Sequence, residues 1–306
     1  MIDFQKLQPH QREQLDSFFL TCKKGCEYSF VNLTLWGRQR AAFLDGYLVL
    51  LSQFDRRCVY PFPMGQGDIR PILEAIMQDA KERGIPCCFT GMNQEECDLL
   101  ESLYPGKFRI QPDRNGFDYV YSIDDLADLK GRTFQKKRNH INRFRQQHPT
   151  WRTEPLRPSH LPAVREMAAQ WYAHRHETDP HGSYTLEQIA LERALTDPEA
   201  LGLEGLVLLE GDEILAFTMG SQMRTDTFDV HFEKAREDVD GAYPAINQQF
   251  AFHIREKHPQ IRFLDREDDM GLEGLRKAKL SYCPDHLIEK YWARLWEDED
   301  VRRVSK

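Results

Sequence analysis

The chain has 306 residues, of which 41% are hydrophobic and 29% charged, and its 41 Lys and Arg stand against 49 Asp and Glu. This length allows two domains of ordinary size, and no run approaches the roughly 20 apolar residues of a membrane helix. The first residues lack the basic and apolar regions of a signal peptide, and the seven cysteines are irregularly spaced. We therefore expect a cytoplasmic protein with reduced thiols and no metal site.

The first half reads as a compact α+β unit. A helix is predicted over residues 9–22, and a meander of strands follows it. Two further helices, over about 69–83 and from Asn93 to about 103, enclose a short buried strand. One or two strands then lead to residue 123. The order predicts a first domain over residues 1–128.

A basic segment, residues 129–153, contains eight Lys or Arg and no Asp or Glu. Phe134, Ile141 and Phe144 recur at helical spacing, which predicts a helix docked on a domain. Its cations need an external or distant acidic partner, and a polyanion such as phosphate, nucleic acid or an anionic membrane surface fits that need. A solvated helix face is the alternative. The predicted polyanion-binding residues are Lys136, Lys137, Arg138, His140, Arg143 and Arg145.

The second half, residues 129–306, repeats the α+β order. Helices over 159–175 and 185–196 precede a hairpin turning at Gly211, and a third strand leads to a helix after Gly241. A strand over about 286–296 is expected to close the domain. This is the element order of the acyltransferase fold, so we predict tandem acyl-CoA N-acyltransferase (GNAT-like) domains with mixed central sheets flanked by helices. The loop before the helix lacks a glycine-rich pyrophosphate grip, and Asp238 and Asp240 would repel coenzyme A.

The stretch LDREDDMGLEGLRKAKLSYCP carries the densest set of reactive groups. Four acids at a strand end, Asp265, Glu267, Asp268 and Asp269, can receive a cationic amine. Arg276 or Lys279 can contact a carbonyl oxygen or a phosphate. A self-satisfied cluster of salt bridges is the alternative interpretation. Three histidines, at 174, 176 and 181, are better explained by a polar helix end than by a metal site.

Four segments carry a family resemblance: GRTFQKKRNHINRF, AFTMGSQMRTDTFDVHFEKA, GAYPAINQQFAFHI and DREDDMGLEGLRKAKLSYCP. In this order they resemble the bacterial DUF2156 family, which is similar to the C-terminal domain of phosphatidylglycerol lysyltransferases. The resemblance implies a tandem acyltransferase fold. In the lysyltransferases it implies transfer of an aminoacyl group from charged tRNA to a lipid hydroxyl, and the related Fem-type enzymes use the same donor to modify a peptide amine.

The resemblance also implies site residues. The Lys-x-x-Tyr pair of the lipid-modifying enzymes corresponds to Lys279, which would stabilise developing negative charge, and Tyr282, which would orient the substrate or relay a proton. Their Asp-x-x-Arg element meets Asp229, a candidate for binding the ammonium of the donor, but Phe232 occupies the arginine position. The candidate catalytic residues are thus Lys279, Tyr282 and Asp229, and the candidate substrate-binding residues are Arg276, Asp265, Asp268, Gly241 and Tyr243.

We therefore expect an aminoacyltransferase that takes its donor from aminoacyl-tRNA, needs no cofactor and uses a lipid, peptide or small-molecule acceptor. tRNA is the expected partner, and contact with membrane lipid would be peripheral. Two alternatives remain open. One is an acyl-CoA-dependent N-acyltransferase. The other is a non-catalytic polyanion-binding protein with a degenerate transferase fold, which the Phe232 departure leaves open.

Overall fold

The computed structural model describes residues 1–54, 57–173 and 183–296. The chain divides into two compact units. The first consists of Met1–Phe117 together with residues 288–296, and the second is Asp118–Leu287. The division predicted between residues 128 and 129 therefore differs from the observed one at its boundary and at its C-terminal end. The three histidines at 174, 176 and 181 lie outside the described residues.

The first unit is built on a mixed sheet whose described strands run in the order β1-β2-β3-β4-β6-β15-β7, with β5 paired to β3. Strands β4 and β6 are parallel, and the other pairs are antiparallel. The strands are β1 (Gln5–Lys6), β2 (Arg38–Leu44), β3 (Tyr47–Phe54), β4 (Arg57–Pro61), β5 (Met64–Gly65), β6 (Cys88–Met92), β7 (Phe108–Pro112) and β15 (Tyr291–Leu295), and the helices are α1 (Arg12–Phe19), α2 (Phe30–Leu35), α3 (Arg70–Arg83) and α4 (Gln94–Leu103).

The second unit has its own sheet, in the order β14-β8-β13-β12-β11-β10-β9 over the described residues. The strands are β8 (Asp118–Ser122), β9 (Trp151–Pro155), β10 (Glu204–Glu210), β11 (Glu213–Gln222), β12 (Thr227–Ala235), β13 (Phe263–Asp265) and β14 (His286–Ile288). The helices are α5 (Ile123–Asp128), α6 (Gln135–Gln147), α7 (Leu161–Ala173), α8 (Ser183–Thr196), α9 (Ala242–Lys257) and α10 (Glu273–Leu280). Strands β12 and β13 are parallel.

Local sequence signals explain several of these elements. Asn93 caps α4 through a capping box in which its side chain accepts from the backbone N–H of Glu96 while the Glu96 carboxylate accepts from the N–H of Asn93. The predicted hairpin is confirmed, because β10 and β11 are antiparallel and Glu210 pairs with Glu213 across the turn. Gly211 has a φ of 59° there, a conformation that glycine adopts without strain.

The basic helix α6 is docked, as its apolar spacing predicts. Phe134, Ile141 and Phe144 are all buried, and they belong to a core that also contains residues of α5 and α9. The Phe144 ring stacks on the His148 ring at a centroid distance of 4.9 Å and lies 5.9 Å from the ring of Trp151. The basic segment is therefore part of the second unit and is no solvated tail.

The placement of two predicted strand regions needs correction. Residues 107–123 do form two strands, but only β7 belongs to the first unit, and β8 belongs to the sheet of the second. The strand expected over 286–296 is two strands, and β15 inserts between β6 and β7 of the first sheet, where Ala293 pairs with Ile110 and is fully buried. Pairing with β6 on one side and β7 on the other decides the position of this short strand, and the local sequence does not reveal it. Over the described residues, no helix has the length and apolar character to cross a membrane.

Candidate active site

The site forms where two parallel strands of the second unit part. Strands β12 and β13 pair over Thr227–Asp229 and Phe263–Asp265. Beyond that point β13 ends, whereas β12 continues to Ala235. The end of a strand in an open sheet is a usual place for ligands. The segment 266–268 leaves the sheet here, so its side chains flank the free part of β12.

A β-bulge on β12 shapes the site. Val230 pairs with Gly220 and Phe232 with Met219, so His231 is the extra residue without a partner in the ladder. A bulge re-aims side chains and shifts the alternation of the strand by one residue. Asp229 and Phe232, three residues apart, therefore share a face.

The re-aimed imidazole of His231 lies among three polar side chains. Its Nε2 is 2.8 Å from Ser221 Oγ, and its Nδ1 is 3.1 Å from Glu267 Oε1 and 3.5 Å from Asp229 Oδ2. The Ser221 and Asp229 residues are fully buried, and the side chain of His231 is too. A buried carboxylate, Asp229, and a partly buried one, Glu267, thus face one imidazole.

This arrangement, which we call the carboxylate–histidine cluster (Asp229, His231 and Glu267), favours a positive charge. Buried carboxylates are costly unless a cation or hydrogen-bond donors compensate them. A protonated imidazole, a ligand ammonium or a metal ion would each supply that charge. One oxygen or nitrogen atom from each of the three side chains lies within 4.8 Å of the others, so the same residues could hold a metal ion.

A second group of polar residues, Lys137, Glu233, Arg266 and Tyr282, lies around an aromatic ring. The Lys137 Nζ is 3.7 Å from the centre of the Tyr282 ring and donates to Ser281 Oγ at 2.7 Å. The Arg266 guanidinium carbon is 5.0 Å from the same centre, and its Nη2 donates to Glu233 Oε1 at 2.8 Å. Burial, with the nearby Arg266 charge, lowers the pKa of Lys137 to about 8.

Lys279 is buried beneath the segment 266–268. Its ammonium donates to the backbone carbonyl oxygens of Arg266, Glu267 and Asp268. An ammonium has three donors, so these bonds use all of them. Burial lowers the pKa of Lys279. This geometry does not offer the direct contact with a developing oxyanion that the resemblance implied, and Lys279 instead holds the segment that carries Arg266 and Glu267.

Tyr282 is buried next to Lys279, which fits the predicted pairing of these two residues. Its backbone N–H donates to the Lys279 carbonyl at 3.1 Å, and its ring meets that of Tyr121 edge-on at 6.5 Å. Burial raises the pKa of Tyr282. The hydroxyl therefore stays protonated at neutral pH, as a donor to a substrate oxygen must be.

The acids before α10 serve mainly the turn that contains them. Asp265 accepts from the backbone N–H of Glu267 at 2.8 Å, and Asp268 accepts from that of Met270 at 3.0 Å. These two predicted substrate contacts thus shape the loop through its backbone.

Arg276 is engaged in the same turn. Its guanidinium contacts Asp269 in a bidentate manner at 2.7 and 2.8 Å, and the Tyr119 hydroxyl donates to the same carboxylate. Although burial opposes ionisation, Arg276 and Tyr119 lower the pKa of Asp269 to about 2. For Arg276 the self-satisfied salt bridge fits better than the predicted substrate contact.

Gly241 is explained by helix packing. Its φ is 87°, and a Cβ atom at this position would lie 2.5 Å from the carbonyl oxygen of His140 and 2.9 Å from Phe144 Cβ. Only glycine lets α9 begin so close to α6. The other predicted substrate residue of this region, Tyr243, accepts a hydrogen bond from Trp171 Nε1 at 2.9 Å.

The cations of α6 have partners inside the second unit. The carboxylate of Asp240, just before α9, lies 3.1 Å from His140 Nδ1 and 2.7 Å from Arg143 Nη1. The distant acidic partner expected from the sequence is therefore present. Arg138 donates to the carbonyl oxygens of residues 129 and 131. Arg145 contacts Gln248 at 3.4 Å and lies over the Trp151 ring.

The solvent-facing side of α6 is narrower than the six predicted residues suggested. Lys136 is exposed, and the side chains of His140 and Arg143 remain about half exposed beside Asp240. Lys137 turns toward Tyr282 instead. A polyanion at this surface would meet Lys136 and would share His140 and Arg143 with Asp240.

The sequence interpretation included Glu267 among the acids expected to receive an amine but missed four residues of this site. They are Ser221, His231, Glu233 and Arg266. The available signal was the run FDVHFEKA, in which four ionisable residues, Asp229, His231, Glu233 and Lys234, lie in a central strand. The bulge that brings His231 to Ser221 has no comparable mark in the sequence.

Comparison with known proteins gives the relationships of the chain. A conserved protein of unknown function from Bacteroides thetaiotaomicron is 37% identical, with a TM-score of 0.88 over 96% of this chain and 100% of that one. L-PGS from Bacillus licheniformis is 14% identical, with a TM-score of 0.68 over 96% of this chain and 94% of that one. An uncharacterized protein of Mycoplasmoides gallisepticum, MYCGA3080, is 26% identical over 182 residues.

The match to the mycoplasma protein covers 58% of this chain and 56% of that relative, so the chain spans little more than half of its length. The solved structures confirm the tandem GNAT-like α+β fold. The sequence model of the family described as phosphatidylglycerol lysyltransferase, C-terminal, matches residues 18–294. The chain therefore belongs to the family of phosphatidylglycerol lysyltransferase C-terminal domains, the DUF2156 family.

Proposed function

We propose that the protein is an aminoacyltransferase that takes its aminoacyl group from aminoacyl-tRNA. The observation that carries the proposal is the carboxylate–histidine cluster, where Asp229 and Glu267 lie within 3.5 Å of one imidazole nitrogen. The ammonium of an aminoacyl ester is a ligand that buried carboxylates favour. Family membership supports the same reaction class.

In the proposed reaction an O–H or N–H group of the acceptor attacks the ester carbonyl carbon. A bond forms between the acceptor and the acyl carbon, the bond from that carbon to the ribose oxygen breaks, and the acceptor proton passes to the released ribose oxygen. The cluster would fix the donor ammonium, and Tyr282 would donate a hydrogen bond to the carbonyl oxygen. Lys279 would act through the segment 266–268, whose three carbonyl oxygens it holds.

The basic helix supports tRNA as the donor. Clustered Lys and Arg recognise RNA through phosphate and shape, without a base-reading motif. Lys136, His140 and Arg143 would contact the phosphate backbone. Asp240, which is paired with His140 and Arg143, would hold these two side chains in position. We further propose that the reaction takes place in the cytoplasm, where charged tRNA is available, and that a lipid acceptor would be met at the membrane surface.

Two observations bear on the alternatives. At the start of α9, where an acyltransferase would grip a pyrophosphate, Asp240 is paired with His140 and Arg143, and Asp238 is paired with Arg236 at 2.6 Å. An acidic pair at this place disfavours coenzyme A. The buried Phe232 favours the second candidate, a polyanion-binding protein without catalysis.

The test is transfer of label. The purified chain is incubated with a mixed pool of radiolabelled aminoacyl-tRNAs and cell lysate, and label is followed into lipid, peptide and small-molecule fractions, with labelled acetyl-CoA in a parallel reaction. We expect transfer from aminoacyl-tRNA that Asp229→Asn abolishes. Glu273→Gln, a change of an exposed acid on α10, is the matched control and should leave transfer intact. Transfer from acetyl-CoA alone, or tRNA binding without transfer, would replace the proposal by one of the alternatives.

A further inference from the structure

An unsatisfied donor in the second unit points to a bound anion. The side chain of Arg266 is 14% exposed, and its Nη2 donates to Glu233. Its Nη1 is buried and has no hydrogen-bond partner among the described residues. A buried charged donor that is left unpaired is costly, and such groups occur where a ligand completes the bonding.

A second cation faces the same ring. Lys137 Nζ lies 3.7 Å from the centre of Tyr282, and the Arg266 guanidinium carbon lies 5.0 Å from it. Ser281 takes one of the three donors of the Lys137 ammonium. The Arg266 charge is near enough to help lower the pKa of Lys137, and an anion between the two cations would relieve this repulsion.

The single carboxylate of Glu233 cannot balance the charges of both Lys137 and Arg266. Glu233 is the carboxylate next to Arg266, and it also accepts from Asn247 Nδ2 at 3.1 Å. Burial and the repulsion from Arg266 both lower the pKa of Lys137, whereas Glu233 raises it. The pair Lys137 and Arg266 with one shared carboxylate is therefore net positive and partly buried.

We propose that Arg266 Nη1 and Lys137 Nζ together bind an anionic oxygen of the donor beside the Tyr282 ring. This inference rests on the proposed function. The oxygen has two sources of the same chemistry, a phosphate at the 3′ end of the tRNA or the oxyanion that forms on the ester carbonyl. A fork of guanidinium and ammonium groups suits either one.

The role proposed for Lys137 and Arg266 differs from that of the solvent-facing cations of α6. Lys136 is exposed and would act through long-range charge, which salt screens. Lys137 and Arg266 are partly or largely shielded, so their contacts with an anion would be stronger and less dependent on salt. The ligand would complete the hydrogen bonding of the buried Arg266 Nη1, whereas water can hydrogen-bond the exposed ammonium of Lys136.

The experiment uses Lys137→Met and Arg266→Met in the full chain, with Lys277→Met, an exposed lysine of α10, as the matched control. AMP binding is measured by calorimetry and deacylated tRNA binding by filter assay, and single-turnover transfer is measured with aminoacyl-tRNA. A ground-state phosphate contact predicts that each variant weakens binding by about 10-fold or more. An oxyanion contact predicts unchanged binding and a transfer rate lowered by about 100-fold or more.

Either pattern supports the inference and identifies the source of the oxygen. Variants that match Lys277→Met in all three assays overturn it. If Arg266→Met does not fold, Lys137→Met decides alone, because the half-buried lysine makes only one side-chain hydrogen bond. Normal transfer by both variants with normal binding would overturn the inference and leave the proposed function standing. If the parent chain transfers nothing but the two variants lose AMP binding, the anion site stands and the proposed function is overturned.

Discussion

Truncation of Phe144 tests whether the basic helix is held by its apolar face. Phe144 is fully buried, and it packs against His148 and Trp151. Phe144→Ala removes the whole ring. Fully buried phenylalanines cost about 3–5 kcal/mol on truncation to alanine, and the lower end applies where the surroundings collapse into the cavity.

The structure around Phe144 does not allow easy collapse. The start of α9 already lies so close that a Cβ on Gly241 would be 2.9 Å from Phe144 Cβ. Backbone in close contact on one side resists further approach, so we expect a loss of about 4 kcal/mol in the free energy of unfolding.

The assay is urea unfolding followed by circular dichroism and by tryptophan fluorescence. The matched control is Gln146→Ala, an exposed position on the same helix, which should change the free energy of unfolding by less than about 0.5 kcal/mol. A loss below about 1 kcal/mol for Phe144→Ala would refute the reasoning, because the helix would then owe its position to its charged face.

Three further predictions follow from the charges. Reversing Lys136 and Arg143, two solvent-facing cations of α6, to Glu should weaken tRNA binding strongly and make the residual binding less salt-dependent, and equal affinity of variant and parent would remove the polyanion role. Lys279→Met should lower the free energy of unfolding by about 3 kcal/mol, because three carbonyl oxygens lose their charged donor. Unchanged stability with about 100-fold slower turnover would instead restore a direct catalytic role. The lowered pKa of Asp269, about 2, stabilises the fold fully above its unfolded pKa of about 4 and less as the pH falls toward 2, so Asp269→Asn should flatten the acid limb of a stability–pH curve.

Much of the fold could be predicted because its local signals are strong. The capping box at Asn93, the hairpin at Gly211 and the spacing of Phe134, Ile141 and Phe144 each depend on residues near one another in the chain. The four family segments fixed the fold class, which the comparisons confirm.

The misses involve residues distant in sequence. Strand β15 joins the first sheet through pairing with β6 and β7, about 180–200 residues earlier, and no local pattern encodes that choice. His231 reaches Ser221 through a bulge, and Arg266 reaches Glu233 from the end of another strand. Charge alone could not separate these contacts from the acids of the turn before α10.

Phe232 illustrates the limit of a motif. The resemblance expects arginine there, and the sequence shows only that the guanidinium is missing. The structure adds that Phe232 is buried and shares the face of Asp229 because of the bulge. A spacing of three residues is thus functional only in a strand that carries this irregularity.

Binding of the donor ammonium by Asp229 and Glu267 is the central step of the proposed reaction. Its most direct test compares an aminoacyl-tRNA with the same tRNA carrying the N-acetylated amino acid, under single-turnover conditions with the parent chain. Acetylation removes the positive charge and leaves the ester and the tRNA unchanged. We predict transfer from the acetylated donor that is slower by about 100-fold or more, since the buried carboxylate of Asp229 and the partly buried one of Glu267 would face a neutral amide. Equal rates for the two donors would contradict the claim.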